Sequence, residues 1–138
     1  MGRLRGRAID YLLAAYRAGR GRAPVTLKRV SESMGVRAPT AHKVLMRLVE
    51  CGYMVKTGRG EFVLTEAGVE LAERVIRSHR ILETFLMVVL KCSLDEACEY
   101  ASKLDRYAPP ELINRMCEAL GHPSVCPHGK PIPRGDCH

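Results

Sequence analysis

An ordered run in the first half of the chain constrains its fold more than any other feature. Two helical stripes, a glycine turn, a third helical stripe and a glycine-rich hairpin follow one another without interruption. Ile9, Leu12, Leu13 and Tyr16 lie on one side of a helix read from Leu4 to Ala18, which the Gly19–Gly21 segment and Pro24 end. Thr26 is placed to cap a short helix with Leu27, Val30 and Met34 facing inward, and Gly35 to stop it. Pro39 then sits where the start of a helix tolerates proline. Ala41, Val44, Leu45, Leu48 and Val49 give that third helix its buried face as far as about Glu50, while Thr40, Lys43 and Arg47 share the opposite face. After Gly52, predicted strands Tyr53–Lys56 and Glu61–Leu64 flank Thr57-Gly58-Arg59-Gly60, a turn with a cation at its tip.

This order is the winged helix-turn-helix plan, in which a short helix braces a recognition helix in the major groove and the hairpin touches phosphate. Arg37, Pro39, Thr40, Lys43, Arg47 and Arg59 are the candidate DNA-contacting residues. A small α+β interaction domain with a solvated basic face would show the same order and stays open on this reading. The formal net charge of +7 favours nucleic acid over an acidic small substrate. Positive charge is densest before Val25, at Arg3, Arg5, Arg7, Arg17, Arg20 and Arg22.

The second half reads as helical. Thr65-Glu66-Ala67-Gly68 opens a long helix to about Lys91; Ser93 or Asp95 caps another to about Tyr107; Pro109-Pro110 precedes a last one over Glu111–Leu120. In the long helix Leu71, Val75, Ile76, Leu82 and Leu86 form an apolar stripe, and His79 and Glu83 fall on it one turn apart. Packing gives no reason to seat an imidazole beside a carboxylate there, since both must be satisfied if buried. Either the two pair with each other, or a transition metal satisfies both as ordinary ligands. The mainly α chain of 138 residues is therefore divided into a winged helix-turn-helix over 1–70, a helical domain over 71–122 and a tail over 123–138. The tail is read as unfolded because its proline and glycine content rises. Together with Cys117 and His122 it carries a second cluster of candidate ligands, Cys126, His128, Cys137 and His138, for which zinc is the natural occupant if the tail folds back. No secretory signal and no bilayer-length apolar run is visible, so the chain is expected to be cytoplasmic. The six cysteines are then read as reduced, metal-bound or buried.

Arg77-Ser78-His79-Arg80-Ile81-Leu82-Glu83, the winged-helix order before it and the ending Cys126-Pro-His-Gly-Lys-Pro-Ile-Pro133 together resemble the diphtheria-toxin-repressor family of metal-dependent transcriptional regulators. Tyr11 to Tyr16 and the Pro39-Thr40 helix start are similar to that family too. The resemblance implies an N-terminal DNA-binding domain and a helical domain that dimerises and binds metal, in the short form without the SH3-like third domain. It implies iron or manganese as the divalent ion. It also implies a ligand set: Asp10 from the first helix, His79 and Glu83 unchanged, and family ligand places on Cys98, Ser102, Asp105 and Arg106. Ser102 is a poor donor, and Arg106 is none; its guanidinium would neutralise Asp10 or Asp105 where the family has a cation.

The expected function is that of a homodimeric repressor, free of membranes, whose affinity for double-stranded operator DNA is set by a divalent ion. Metal binding would tie the first helix, through Asp10, to the long helix and so fix the spacing of the two recognition helices. The alternatives are a winged-helix regulator that has lost metal sensing and answers to redox change at its cysteines, and a metal-dependent hydrolase. The hydrolase fares poorly because no general-base arrangement accompanies the ligands.

Overall fold

Thr26 decides where the second helix starts. In the computed structural model, which describes residues 6–135, its hydroxyl accepts the Arg29 amide at 3.1 Å and closes the open N-terminus of that helix. The chain up to there forms α1 (Arg7–Ala18) and a two-residue strand β1 (Val25–Thr26), and α2 (Leu27–Met34) follows. Gly35 ends α2 at φ 67°, a left-handed value that glycine adopts without strain. Then come α3 (Ala38–Glu50), β2 (Met54–Gly58), β3 (Glu61–Leu64), α4 (Glu66–Val88), α5 (Leu94–Leu104) and α6 (Pro110–Ala119). The molecule divides into two compact units, Met1–Ala72 and Glu73–His138, and the division falls inside α4.

In the first unit α1, α2 and α3 pack on one another through Ile9, Leu12, Leu13, Val30, Ala41, Leu45 and Leu48, all buried. Val44 and Val49 of α3 are only half-buried, so its apolar face is narrower than the sequence pattern suggests. A three-stranded antiparallel sheet in the order β1-β3-β2 closes this core with Val25, Met54, Phe62 and Leu64. β1 is the element that the sequence reading missed. It pairs Val25 with Phe62 and Thr26 with Glu61, and two residues are too few to show an alternating pattern. β2 also runs further than expected, to Gly58, through a register shift between Lys56 and Gly58. Gly68 is fixed by space: a Cβ there would stand 2.1 Å from the Tyr53 carbonyl oxygen, so only glycine lets α4 begin this close to the wing.

In the second unit Ser93 and Glu96 form a reciprocal capping box that starts α5. Ile81, Leu82, Ala101, Ile113 and Cys117 pack into one apolar cluster with Cys126 and Ile132. For residues 124–132 the structure departs from the reading of 123–138 as a tail. The Cys126 amide donates to the Lys130 carbonyl at 2.8 Å and the Ile132 amide to that of Ser124 at 2.9 Å, around Gly129 at φ 77°. The Arg80 guanidinium donates to the Pro131 carbonyl and clasps this hairpin to α4. Prolines and glycines here shape a tight turn whose two apolar residues reach the core, a use of the same composition that marks disorder elsewhere. Cys137 and His138 lie outside the described residues.

Candidate metal centre and nucleic-acid interface

Helical spacing does the first half of the work. On α4 the i,i+4 pair His79 and Glu83 projects from one face, and α5 brings Cys98 against it. Glu83 is 1% exposed. His79 Nε2 lies 3.7 Å from Glu83 Oε2 and 3.8 Å from Cys98 Sγ. From the hairpin, His128 Nδ1 stands 3.0 Å from the same Glu83 oxygen. The donor atoms of His79, Glu83 and Cys98 lie within 4.8 Å of one another, as do those of Glu83, Cys126 and His128. The two groups share Glu83. The sequence reading kept the Cys126/His128 pair apart from the α4 pair, because nothing in local spacing reports a contact between segments so distant along the chain.

Two observations bear on whether this cluster fits a metal. Glu83 Oε2 is buried and accepts no well-aligned hydrogen bond, although His128 Nδ1 stands 3.0 Å and His79 Nε2 3.7 Å away. A carboxylate oxygen buried in that way costs free energy until a cation or a proton meets it. The donor set is the second observation: two thiols, two imidazoles and one carboxylate are the ligand types of borderline-soft divalent ions. Burial, and after it the facing Glu83 carboxylate, pushes the Cys98 thiol up from its ordinary pKa. Asp95 adds to the rise and Lys130 opposes it. A metal ion in the cluster would reverse this balance, since thiols bind metals as thiolates. The residues fit a divalent transition ion.

The remaining expected ligands are placed differently. Asp105 is buried, with Oδ2 at 3.1 Å from His79 Nδ1 and Oδ1 at 3.2 Å from Arg106 Nε. Ser102 is exposed, and its hydroxyl donates back to the Cys98 carbonyl at 2.9 Å. Asp10 is half-buried on α1 and belongs to the first unit. Cys117 sits in the apolar core, with Sγ 3.6 Å from His122 Nδ1.

In the first unit the expected nucleic-acid residues are all on the surface. Arg37, Pro39, Thr40, Lys43 and Arg47 are exposed along α3 and its start, and Arg59 is exposed in the turn between β2 and β3. The sequence reading overlooked two residues. His42 meets Phe62 edge-on with ring centroids 6.4 Å apart, which braces α3 against the wing. Lys56 is exposed on β2 and adds a second cation to the wing.

A winged helix-turn-helix joined to a helical unit with a donor cluster defines the class to which this chain's architecture belongs. The family descriptions "Iron dependent repressor, N-terminal DNA binding domain" and "Iron dependent repressor, metal binding and dimerisation domain" match residues 4–60 and 65–134. The chain belongs to the iron-dependent repressor family. It is 29% identical over 105 residues to the iron-dependent repressor IdeR of Mycobacterium bovis, which covers 76% of this chain and 46% of that protein. It thus spans about half the length of the curated relatives it matches. Among solved structures, a hypothetical protein from Sulfolobus solfataricus superposes with a TM-score of 0.79 at 28% identity, over 95% of this chain and 100% of that one. A manganese-dependent transcriptional repressor in complex with manganese gives 0.78 at 35% identity, over 94% of this chain and 59% of that one.

Proposed function

We propose that this chain is a DNA-binding transcriptional repressor whose operator affinity is set by a divalent metal ion held at the Glu83-centred cluster. The observation that carries the reading is the buried Glu83 oxygen, which accepts no well-aligned hydrogen bond and stands among imidazole and thiol groups from α4, α5 and the 124–132 hairpin. His79, Glu83, Cys98, Cys126 and His128 would hold the ion. When bound, it supplies the positive charge that the carboxylate and thiols otherwise lack. The protein's part is to converge three separate elements on that charge, so that their spacing depends on it. Two thiol donors favour iron(II) or zinc over manganese.

Thr40 and Lys43 are proposed to read base edges, with Arg37, Arg47 and Arg59 on phosphates. Val88, Val89 and Leu90 are each at least half exposed, and Leu112 is 46% exposed. These side chains suit a two-fold contact with a second copy, and a dimer presents paired recognition helices to paired half-sites. Family membership favours regulation over hydrolysis. The proposed site of action is the cytoplasm, where the operator lies; among the described residues no helix is long and apolar enough to cross a membrane.

Selection from a random-sequence duplex pool tests the reading, run with chelator and with iron(II), zinc or manganese added. Enrichment of a two-fold sequence only when metal is present is expected. Equal enrichment with chelator refutes metal control, and no retention of duplex under any condition refutes the DNA-binding reading.

A further inference from the structure

One buried carboxylate of the second unit spends both its oxygens on neighbours, and that use decides where a proton sits. Asp105 is 5% exposed, and its Oδ1 faces Arg106 Nε at 3.2 Å. The Arg106 side chain is itself only 10% exposed. A guanidinium carries only N–H donors, so Asp105 faces it as a hydrogen-bond acceptor. Its other oxygen lies 3.1 Å from His79 Nδ1. Accepting there as well, the carboxylate calls for the hydrogen on that ring nitrogen. In the neutral imidazole the lone pair is then on Nε2, the atom that faces Glu83 and Cys98.

We propose that Asp105 is a positioning residue that fixes the His79 tautomer, and that Arg106, bonded to its other oxygen, holds the carboxylate in place for this task. Resting on the metal site proposed above, the inference moves Asp105 out of the ligand set. It also gives Arg106 a role, at a place where a ligand was expected from family resemblance. Carboxylates behind metal-binding imidazoles orient the ring and raise its basicity; losing one costs about 10–100-fold in metal affinity.

The experiment uses the full chain, uniformly labelled with nitrogen-15 and free of metal, at about pH 8.5, above the ordinary histidine range. Long-range proton–nitrogen spectra report the tautomer, with His79 assigned from the signal that a His79→Gln variant loses. The parent is expected to carry its proton on Nδ1. In Asp105→Asn the amide can donate to Nδ1, and the proton is expected on Nε2. A parent ring protonated on Nε2, or one that the variant does not change, overturns the proposal. Cobalt(II) titration supplies a second readout. Asp105→Asn is expected to keep the parent's stoichiometry and thiolate-to-cobalt absorption while affinity falls about 10–100-fold. A changed spectrum or a lost ion makes Asp105 a ligand and refutes the assignment, as does unchanged affinity. Should Asp105→Asn not fold, Arg106→Gln reads the same relay: a weaker ion at unchanged stoichiometry supports it, and unaltered affinity overturns it. If the parent binds no cobalt at all, the metal-site reading fails alone, and the proton position on His79 still decides this inference.

Discussion

Replacing Glu83 by glutamine should move the stability of the protein in opposite directions with and without metal. The glutamate is 1% exposed, and one of its oxygens accepts no hydrogen bond. A buried polar group left unsatisfied costs about 1–3 kcal/mol, more when it carries charge. Glutamine keeps the volume and removes the charge, so the chelator-treated variant should be more stable than the parent by about that amount. For a chain of this size each kcal/mol is worth roughly 4 °C in Tm, which predicts a rise on the order of 4–12 °C. Added metal reverses the order. An ion at about 100 times its Kd stabilises the parent by about 2.7 kcal/mol, on the order of 10 °C. Without the carboxylate at the centre of both donor groups, most of that gain should vanish. Scanning calorimetry at about pH 8, with chelator and then with zinc or iron(II), reads both arms. A variant less stable than the parent in chelator would show that the carboxylate is already compensated in the metal-free protein. A variant that keeps the full metal-induced shift would show that Glu83 is no ligand.

Three further outcomes are expected. Lys43→Ala should cost about 1–3 kcal/mol of binding to the selected operator and relax specificity at one position, whereas Arg59→Ala should weaken all duplexes alike and reduce the salt slope by roughly one. Both are checked by fluorescence anisotropy across a salt series. The Arg22 guanidinium, by its hydrogen bond and then its charge, holds the exposed Glu66 carboxyl below its ordinary pKa. The stabilisation from this pair is therefore present above about pH 4.5 and is lost as pH falls through the lowered value. Arg22→Ala should return the Glu66 carboxyl to the usual range in a carbon-13 titration, and an unmoved midpoint counts against the pairing. Val89→Asp puts a charge on an apolar stretch whose neighbours Val88 and Leu90 are also exposed. Sedimentation should show a dimer for the parent and a monomer for this variant at micromolar concentration; a dimer in both rejects that surface as the contact.

What could be read in advance was local. The Thr26 cap, the Gly35 stop and the exposed Thr40/Lys43/Arg47 face follow from period and turn chemistry within a few residues, and the structure reproduces them. His79 and Glu83 were visible for the same reason, being one turn apart on one helix. The span after Gly121 was misread because composition does not separate a disordered tail from a tight turn. Gly129 and the prolines serve the turn, and only the burial of Cys126 and Ile132 reveals what it is for.

Asp105 shows the harder limit. Its spacing from His79 and its place in the family pattern nominate it as a ligand, and its residue type agrees. Which atom a carboxylate oxygen meets depends on its neighbours, and here one of them is a guanidinium next door in sequence. Arg106 Nε at Oδ1 and His79 Nδ1 at Oδ2 give each oxygen of Asp105 a partner other than a metal. On the positioning role proposed above, a change of one ligand position to arginine alters the work of the residue beside it, although that residue keeps its chemical type. Ligand patterns transfer from relative to relative only where the counter-charges around them transfer too.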